Sequence, residues 1–251
     1  MVKTNPEKQQ HFLKSKLILE KEVSVAKLKK SDRVIEIGAG DGRLTKLISK
    51  EAGSVTAYET DKNFKEVLKN LKLKNTHFIF ENALKNSWKS HNKIVSNIPY
   101  SLSEPVIMKA IKEDIKDLIL IVGEKFAKIL KEKESKTGII ANLYFEIEFI
   151  QKISKSDFEP EPRVNSYLIK LKRKSPTELE LVLQSILEKE SKTKNAIIKT
   201  LQNYGKTKNQ ARKIIKEMEL NIDSLNKSTK TISGKFIQKL KYSLKKYFDK
   251  S

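Results

Sequence analysis

The chain has 251 residues, 38% of them apolar and 33% charged, and carries a formal net charge of +21. It has no cysteine, and its three histidines, His11, His77 and His91, are scattered, which excludes disulfides, thiolate metal sites and cysteine nucleophiles and leaves no zinc-ligand spacing. No window approaches the roughly 18 uncharged apolar residues of a membrane span, and the first residues lack the apolar segment of a secretory signal, so a cytoplasmic protein with no membrane and no metal is expected.

A positive excess of this size repels itself unless a polyanion neutralises it, which makes nucleic acid the leading partner. The basic residues run through the whole chain rather than forming a tail. A broad basic surface suits a folded RNA better than one short strand. A lysine-rich chain that merely solvates its helices would carry the same excess.

In chain order, strand-like runs stand at 33–37, 54–59, 76–81, 93–97 and 117–123, with amphipathic stretches such as "LTKLISKEA" and "NFKEVLKNLK" among them. Short β-rich runs alternating with helical ones predict βαβ units and a mostly parallel α/β sheet. "LYFEIEFIQKI" and "VNSYLIKLK" follow with no long helix between them and predict an antiparallel pair closing one edge. Beyond "KLKRKSPTELE" the period becomes helical, which predicts an α/β domain over 1–175 and a small all-α domain over 176–251.

"VIEIGAGDGRLTKLI" is a strand, a glycine-rich turn and a helix, with Gly38, Gly40 and Gly42 two residues apart. Such a turn lets the backbone approach a ligand; alone, it would also serve a dinucleotide or a plain tight turn. The next strand ends in Glu59, a carboxylate placed to accept both hydroxyls of a ribose. Asp41, inside the loop, would repel a pyrophosphate, so a cationic ligand such as S-adenosylmethionine fits better than NAD. After the third strand, Asn82 is placed to accept from an adenine amino group, with Ala83 or Leu84 against the ring.

Asn97-Ile98-Pro99-Tyr100 ends the fourth strand run. An exocyclic adenine amine is a poor nucleophile because its lone pair is delocalised into the ring. Two acceptors, the Asn97 side-chain oxygen and the Ile98 carbonyl, would hold its hydrogens and free the lone pair. Pro99 stiffens the turn without adding a donor, and Tyr100 offers a flat face to an extruded base. This is catalysis by orientation and electrostatics.

These segments together resemble the rRNA adenine N(6)-dimethyltransferases, which include the KsgA-type ribosome-biogenesis enzymes and the Erm-type resistance enzymes. "QQHFLKSKLI" is similar to the family's Q-N/H-F-L motif, "VIEIGAGDGRLT" to its first methyltransferase motif, "SNIPYSLS" to its N-L/I-P-Y motif and "DFEPEPRVNSYLIKLKRK" to its F-x-P-x-P-x-V-x-S segment. The resemblance implies a class I methyltransferase fold, a Rossmann-like seven-stranded sheet with a small helical C-terminal domain. It implies that His11, Leu13, Gly38, Gly40, Glu59, Asn82 and Asn97 contact S-adenosyl-L-methionine or border its pocket. It implies further that Asn97, Pro99 and Tyr100 carry the transfer, and that Tyr100 and Phe158 cover the two faces of the target base.

Position 82 is usually Asp in this family, which puts cofactor affinity in question, and "IVGEKFAKIL" is somewhat Erm-like. The tail segments "ESKTKNAIIKTL", "KTKNQARKIIKEM" and "LNKSTKTIS" look like the archaeal KsgA-type C-terminal domain. The resemblance therefore implies a monomeric enzyme that dimethylates two adjacent adenines near the 3′ end of small-subunit rRNA, on the immature small ribosomal subunit. The alternatives are an Erm-type enzyme acting on large-subunit rRNA and a ribosome-assembly factor that keeps the fold and has lost activity.

Overall fold

The computed structural model describes residues 11–248; Gln9 and Gln10 of the first quoted motif lie outside that span. The chain divides into two compact units, residues 1–128 with 145–173 and residues 129–144 with 174–251. The sequence reading kept everything through residue 175 in one domain, whereas 129–144 groups by its contacts with the C-terminal helices.

In the first unit, β1 (Phe12–Leu13) leads into α1 (Lys16–Ala26), followed by β2 (Arg33–Ile37), α2 (Arg43–Glu51), β3 (Ser54–Tyr58), α3 (Lys65–Lys69), β4 (Thr76–Ile79), β5 (Lys93–Asn97), α4 (Ser103–Lys112) and β6 (Asp117–Gly123). The division between units falls within α5 (Glu124–Glu132); α6 (Lys136–Tyr144) belongs to the second unit, and β7 (Phe145–Ile153), β8 (Phe158–Glu159) and β9 (Ser166–Arg173) return to the first.

Seven strands form one sheet in the order β4-β3-β2-β5-β6-β9-β7. β4, β3, β2, β5 and β6 run parallel, and β9 and β7 add as an antiparallel pair at one edge. The inner strands are apolar on both faces because helices cover both sides: Val34, Ile35, Ile94, Val95 and Leu118 to Val122 are all buried. The last strand pair starts later than the sequence suggested. Leu143 and Tyr144 close α6, and the strand begins at Phe145.

A two-stranded ribbon, β1 with β8, pairs Phe12 with Glu159 and Leu13 with Phe158. The backbone N–H of Lys14 donates to the Asp157 carbonyl at 2.7 Å and His11 Nδ1 donates to the Pro160 carbonyl at 2.7 Å, which extends the ribbon at both ends. Sequence periodicity gave no hint of it, since two residues per strand carry no period.

The second unit holds α6 with α7 (Glu178–Glu188), α8 (Thr193–Asn203), α9 (Lys208–Glu217), α10 (Ile222–Asn226) and α11 (Gly234–Phe248). Thr177 and Thr207 start α7 and α9 with capping boxes, closed by Glu180 and Gln210. Leu183, Ile186, Ile197, Leu201, Ile237 and Leu240 bury their side chains among these helices. No helix among the described residues is long and apolar enough to cross a membrane.

Candidate active site

The chain builds outward from β2 in two directions, through β3 and β4 on one side and β5 and β6 on the other. That reversal opens a crevice at the carboxyl ends of β2 and β5, where open α/β sheets bind ligands. β2 and β5 are neighbours in register, Ile35 opposite Ile94, so the glycine loop after β2 and the Asn97–Tyr100 turn after β5 emerge side by side. Ser96 fastens them: its Oγ accepts from the Ile37 N–H at 3.1 Å and donates to the Ile37 carbonyl at 2.6 Å.

A cavity of about 370 Å³ occupies this crevice. Of the residues singled out from the sequence, His11, Leu13, Gly38, Gly40, Glu59, Asn82, Ala83, Asn97, Pro99, Tyr100 and Phe158 border it, whereas Gly42 and Leu84 do not. Those that do come from six separate stretches of the chain, four brought together by the parallel register and two by the antiparallel β1–β8 ribbon.

Gly40 has a φ of +55°, and a Cβ there would strike the Phe12 ring, so this position needs glycine on two grounds. Glu59 holds the loop in that shape. Its carboxylate accepts from the Gly40 N–H at 2.8 Å and from the Asp61 N–H at 2.7 Å, and both oxygens retain further acceptor capacity toward the cavity. Asn82 caps a short 3₁₀ turn: its Oδ1 accepts from the Leu84 N–H at 2.9 Å. The turn is anchored by the single tryptophan, fully buried Trp88, whose Nε1 donates to the Ala83 carbonyl at 3.0 Å.

Asp41 departs from the sequence-based reading. It does not face the loop as an open charge, because Arg43 grips it through Nε at 3.0 Å and an Nη at 2.6 Å, while the other Nη of Arg43 reaches the Leu13 carbonyl at 2.7 Å. The carboxyl buried beneath the loop is that of Glu36, which the sequence reading passed over. Glu36 is 1% exposed, borders the cavity, and its Oε2 has no hydrogen-bond partner. Burial pushes its carboxyl up to about 8; the charges of Glu59 and Asp41 add to the rise and Thr45 opposes it. A carboxylate two residues before the first glycine of the loop, between Ile35 and Ile37, was the available signal.

In the Asn97-Ile98-Pro99-Tyr100 turn, Ile98 is buried and Asn97 is half-buried at the end of β5. In the amide orientation that satisfies both of its ends, Asn97, which borders the cavity, turns Nδ2 inward, 3.0 Å from Glu22 Oε2. The Tyr100 ring stands beside Gly123, where an added Cβ would lie 3.1 Å from it, and its hydroxyl shares a 2.6 Å hydrogen bond with Ser166 Oγ. Burial pushes the Tyr100 phenol up, which keeps the ring uncharged. Phe158 borders the cavity but is only 3% exposed, part of the apolar core around Leu13 and Ile153.

A glycine loop, an acidic second strand and a reversed parallel sheet closed by an antiparallel pair define a class I methyltransferase fold. The same architecture appears in a dimethyladenosine transferase from Plasmodium falciparum, with a TM-score of 0.66 at 23% identity over 94% of this chain and 98% of that one. The 23S rRNA methyltransferase ErmE gives a TM-score of 0.65 at 18% identity over 93% and 99%. Both likenesses concern the fold.

Residues 1–236 match the family model described as Ribosomal RNA adenine dimethylase, and the chain belongs to that family. It is accordingly an rRNA adenine dimethyltransferase, of a kind of enzyme that draws its methyl groups from S-adenosylmethionine. Among its relatives, a probable ribosomal RNA small subunit methyltransferase A of Methanococcus maripaludis is 31% identical over 88% of this chain and 91% of its own length. A protein of the same description from Pyrococcus furiosus is 36% identical over 64% of this chain and 61% of its own.

Proposed function

We propose that the cavity binds S-adenosylmethionine and that the Asn97–Tyr100 turn presents to it the amine of a small-subunit rRNA adenine, two adjacent adenines being dimethylated in turn. The observation that carries this reading is the convergence of Gly40, Glu59, Asn82 and Asn97 on one crevice from four strand ends. The crevice fits the cofactor: the buried Oε2 of Glu36, which borders the cavity without a hydrogen-bond partner, would gain one from a cationic methionine head. When bound, S-adenosylmethionine supplies an electrophilic methyl group.

The residues of the chain do the rest. Glu59 accepts the ribose hydroxyls, Asn82 meets the adenine edge, and His11 and Leu13 border the site. Asn97 Oδ1 and the Ile98 carbonyl accept hydrogen bonds from the two hydrogens of the target amine and leave its lone pair directed at the methyl group, and the proton that each methylation displaces passes to solvent. Pro99, with no N–H, keeps that pair of acceptors free of competition. Tyr100 receives one face of the base, and Phe158 comes to cover the other. The helical second unit binds the ribosomal RNA, with the chain acting as a cytoplasmic monomer.

The test offers labelled S-adenosylmethionine with immature small ribosomal subunits or protein-free large-subunit rRNA. Label in the small subunit alone, abolished by Asn97→Ala while RNA binding is kept, is the expected result. Label only in the large-subunit rRNA would establish the Erm-type alternative, and no label in either would leave an assembly factor.

A further inference from the structure

α1 buries a stripe of Ile18, Leu19, Val23 and Ala26 against the sheet, and Glu22 stands in the middle of it. The side chain is fully buried. Its neighbour from β2 is another buried carboxyl, Glu36, and among the described residues no cation pairs with it. Burial and then Glu36 push the Glu22 carboxyl well above the usual carboxylate range. A group of this kind lowers stability, since a methionine of similar volume would fill the same space without desolvating a carboxyl.

What the carboxyl does touch is Asn97. Nδ2 of Asn97 lies 3.0 Å from Glu22 Oε2 and 3.3 Å from Oε1. An asparagine amide can turn over at little cost, and only one of its two ends can accept from an adenine amine. An acceptor behind Asn97 therefore decides which end faces the cavity. Either protonation state of Glu22 provides that acceptor, because even the neutral acid keeps a carbonyl oxygen.

We infer that Glu22 is a positioning residue for methyl transfer: it holds the Asn97 amide with Oδ1 toward the target amine and polarises that oxygen. The inference rests on the reading of Asn97 as the acceptor of the amine. Glu22 itself touches neither substrate nor cofactor.

The experiment compares Asn97→Ala, Glu22→Met and Glu22→Gln in single-turnover methylation of the small-subunit substrate, with the KM for S-adenosylmethionine and the melting temperature of each. Glu22→Gln keeps an oxygen for Asn97 Nδ2 and is expected to stay within a few-fold of the unaltered rate. Glu22→Met removes the acceptor and is expected to lose about tenfold or more in rate, with KM changed less than about twofold and a melting temperature equal or higher. If methionine does not fit, Glu22→Ala removes the same acceptor and is read in the same way. A wild-type rate in Glu22→Met or Glu22→Ala would overturn the inference, as would equal losses in all the Glu22 variants accompanied by lower melting temperatures. Survival of methylation in Asn97→Ala would instead overturn the reading of Asn97 beneath it.

Discussion

Tyr100 Oη and Ser166 Oγ share a hydrogen bond of 2.6 Å that ties the ring beside the cavity to the buried start of β9. The ring is fixed from the other side by Gly123, which stands directly opposite Ser166 in the β6–β9 register. The orientation of the Tyr100 ring is thus set by Ser166 and Gly123. Tyr100→Phe keeps the ring and frees it, and loses only the hydrogen bond, about 1 kcal/mol or a few-fold in rate. Tyr100→Ala removes the surface itself, worth about 1–3 kcal/mol per stacked base, so methylation falls roughly 10- to 100-fold. Single-turnover assays on the RNA substrate distinguish the two losses; equal effects would deny the ring its stacking role.

Gly40→Ala meets two obstacles at once, a φ of +55° and the Phe12 ring. The loop must move away from Glu59, which spoils the ribose end of the cavity. The affinity for S-adenosylmethionine should fall by about tenfold or more, the cost of roughly 1–3 kcal/mol for a strained backbone position. Calorimetric titration with the cofactor measures it, and an unchanged Kd would show that the loop does not form the cofactor wall.

Asn82→Asp tests the departure from the family's usual residue. The cap on the Leu84 N–H is kept, because an aspartate oxygen accepts it equally well. The second oxygen then accepts where the asparagine offers a donor, and a charge-assisted bond to an adenine amino group adds about 1 kcal/mol. The variant should bind S-adenosylmethionine several-fold more tightly. Weaker binding would mean that the Asn82 Nδ2 donor is what the cofactor uses.

Glu36 governs the response to pH. Its carboxyl titrates at about 8 in the folded chain against an ordinary value of 4.5, so the folded state binds the proton more tightly than the unfolded one. Stability is therefore greatest below about pH 4.5 for this group and declines as pH rises through about 8, by a few kcal/mol at most. Glu36→Gln should flatten that decline in melting experiments. A cationic ligand beside the carboxyl lowers its pKa again, so S-adenosylmethionine binding near pH 7 should release a proton and tighten with rising pH. Calorimetry in two buffers of different ionisation heat counts that proton, and a zero count in the unaltered protein would detach Glu36 from the cofactor.

The parallel sheet was legible because each inner strand is a short apolar run bounded by polar turns, and Asn97-Ile98-Pro99-Tyr100 was legible because its chemistry is local. What escaped were relationships between segments. Glu22 and Glu36 look like isolated breaks in apolar patterns, and only the fold sets them near one another, with Glu22 against Asn97. Asp41 read as an open charge because its partner's grip depends on the backbone turn at Arg43. The run "LYFEIEFIQKI" read as one strand because Leu143 and Tyr144 are as apolar as the residues after them, while their backbone belongs to a helix.

The ribbon of β1 and β8 has a consequence for how firmly the parts of the site are held. Of the strands whose ends form the floor of the cavity, β2, β3 and β5 lie inside the sheet, and their amide hydrogens are expected to exchange only when the unit unfolds as a whole. His11, Leu13 and Phe158 are held by a ribbon of two residues a side, too short to persist by itself. Exchange at those amides is expected to run ahead of exchange at the floor, even though the Leu13 and Phe158 side chains join the buried core, and hydrogen-exchange rates measure the difference. Ligand that bridges floor and wall is then felt first as slowed exchange at Leu13 and Phe158, before any change in global stability.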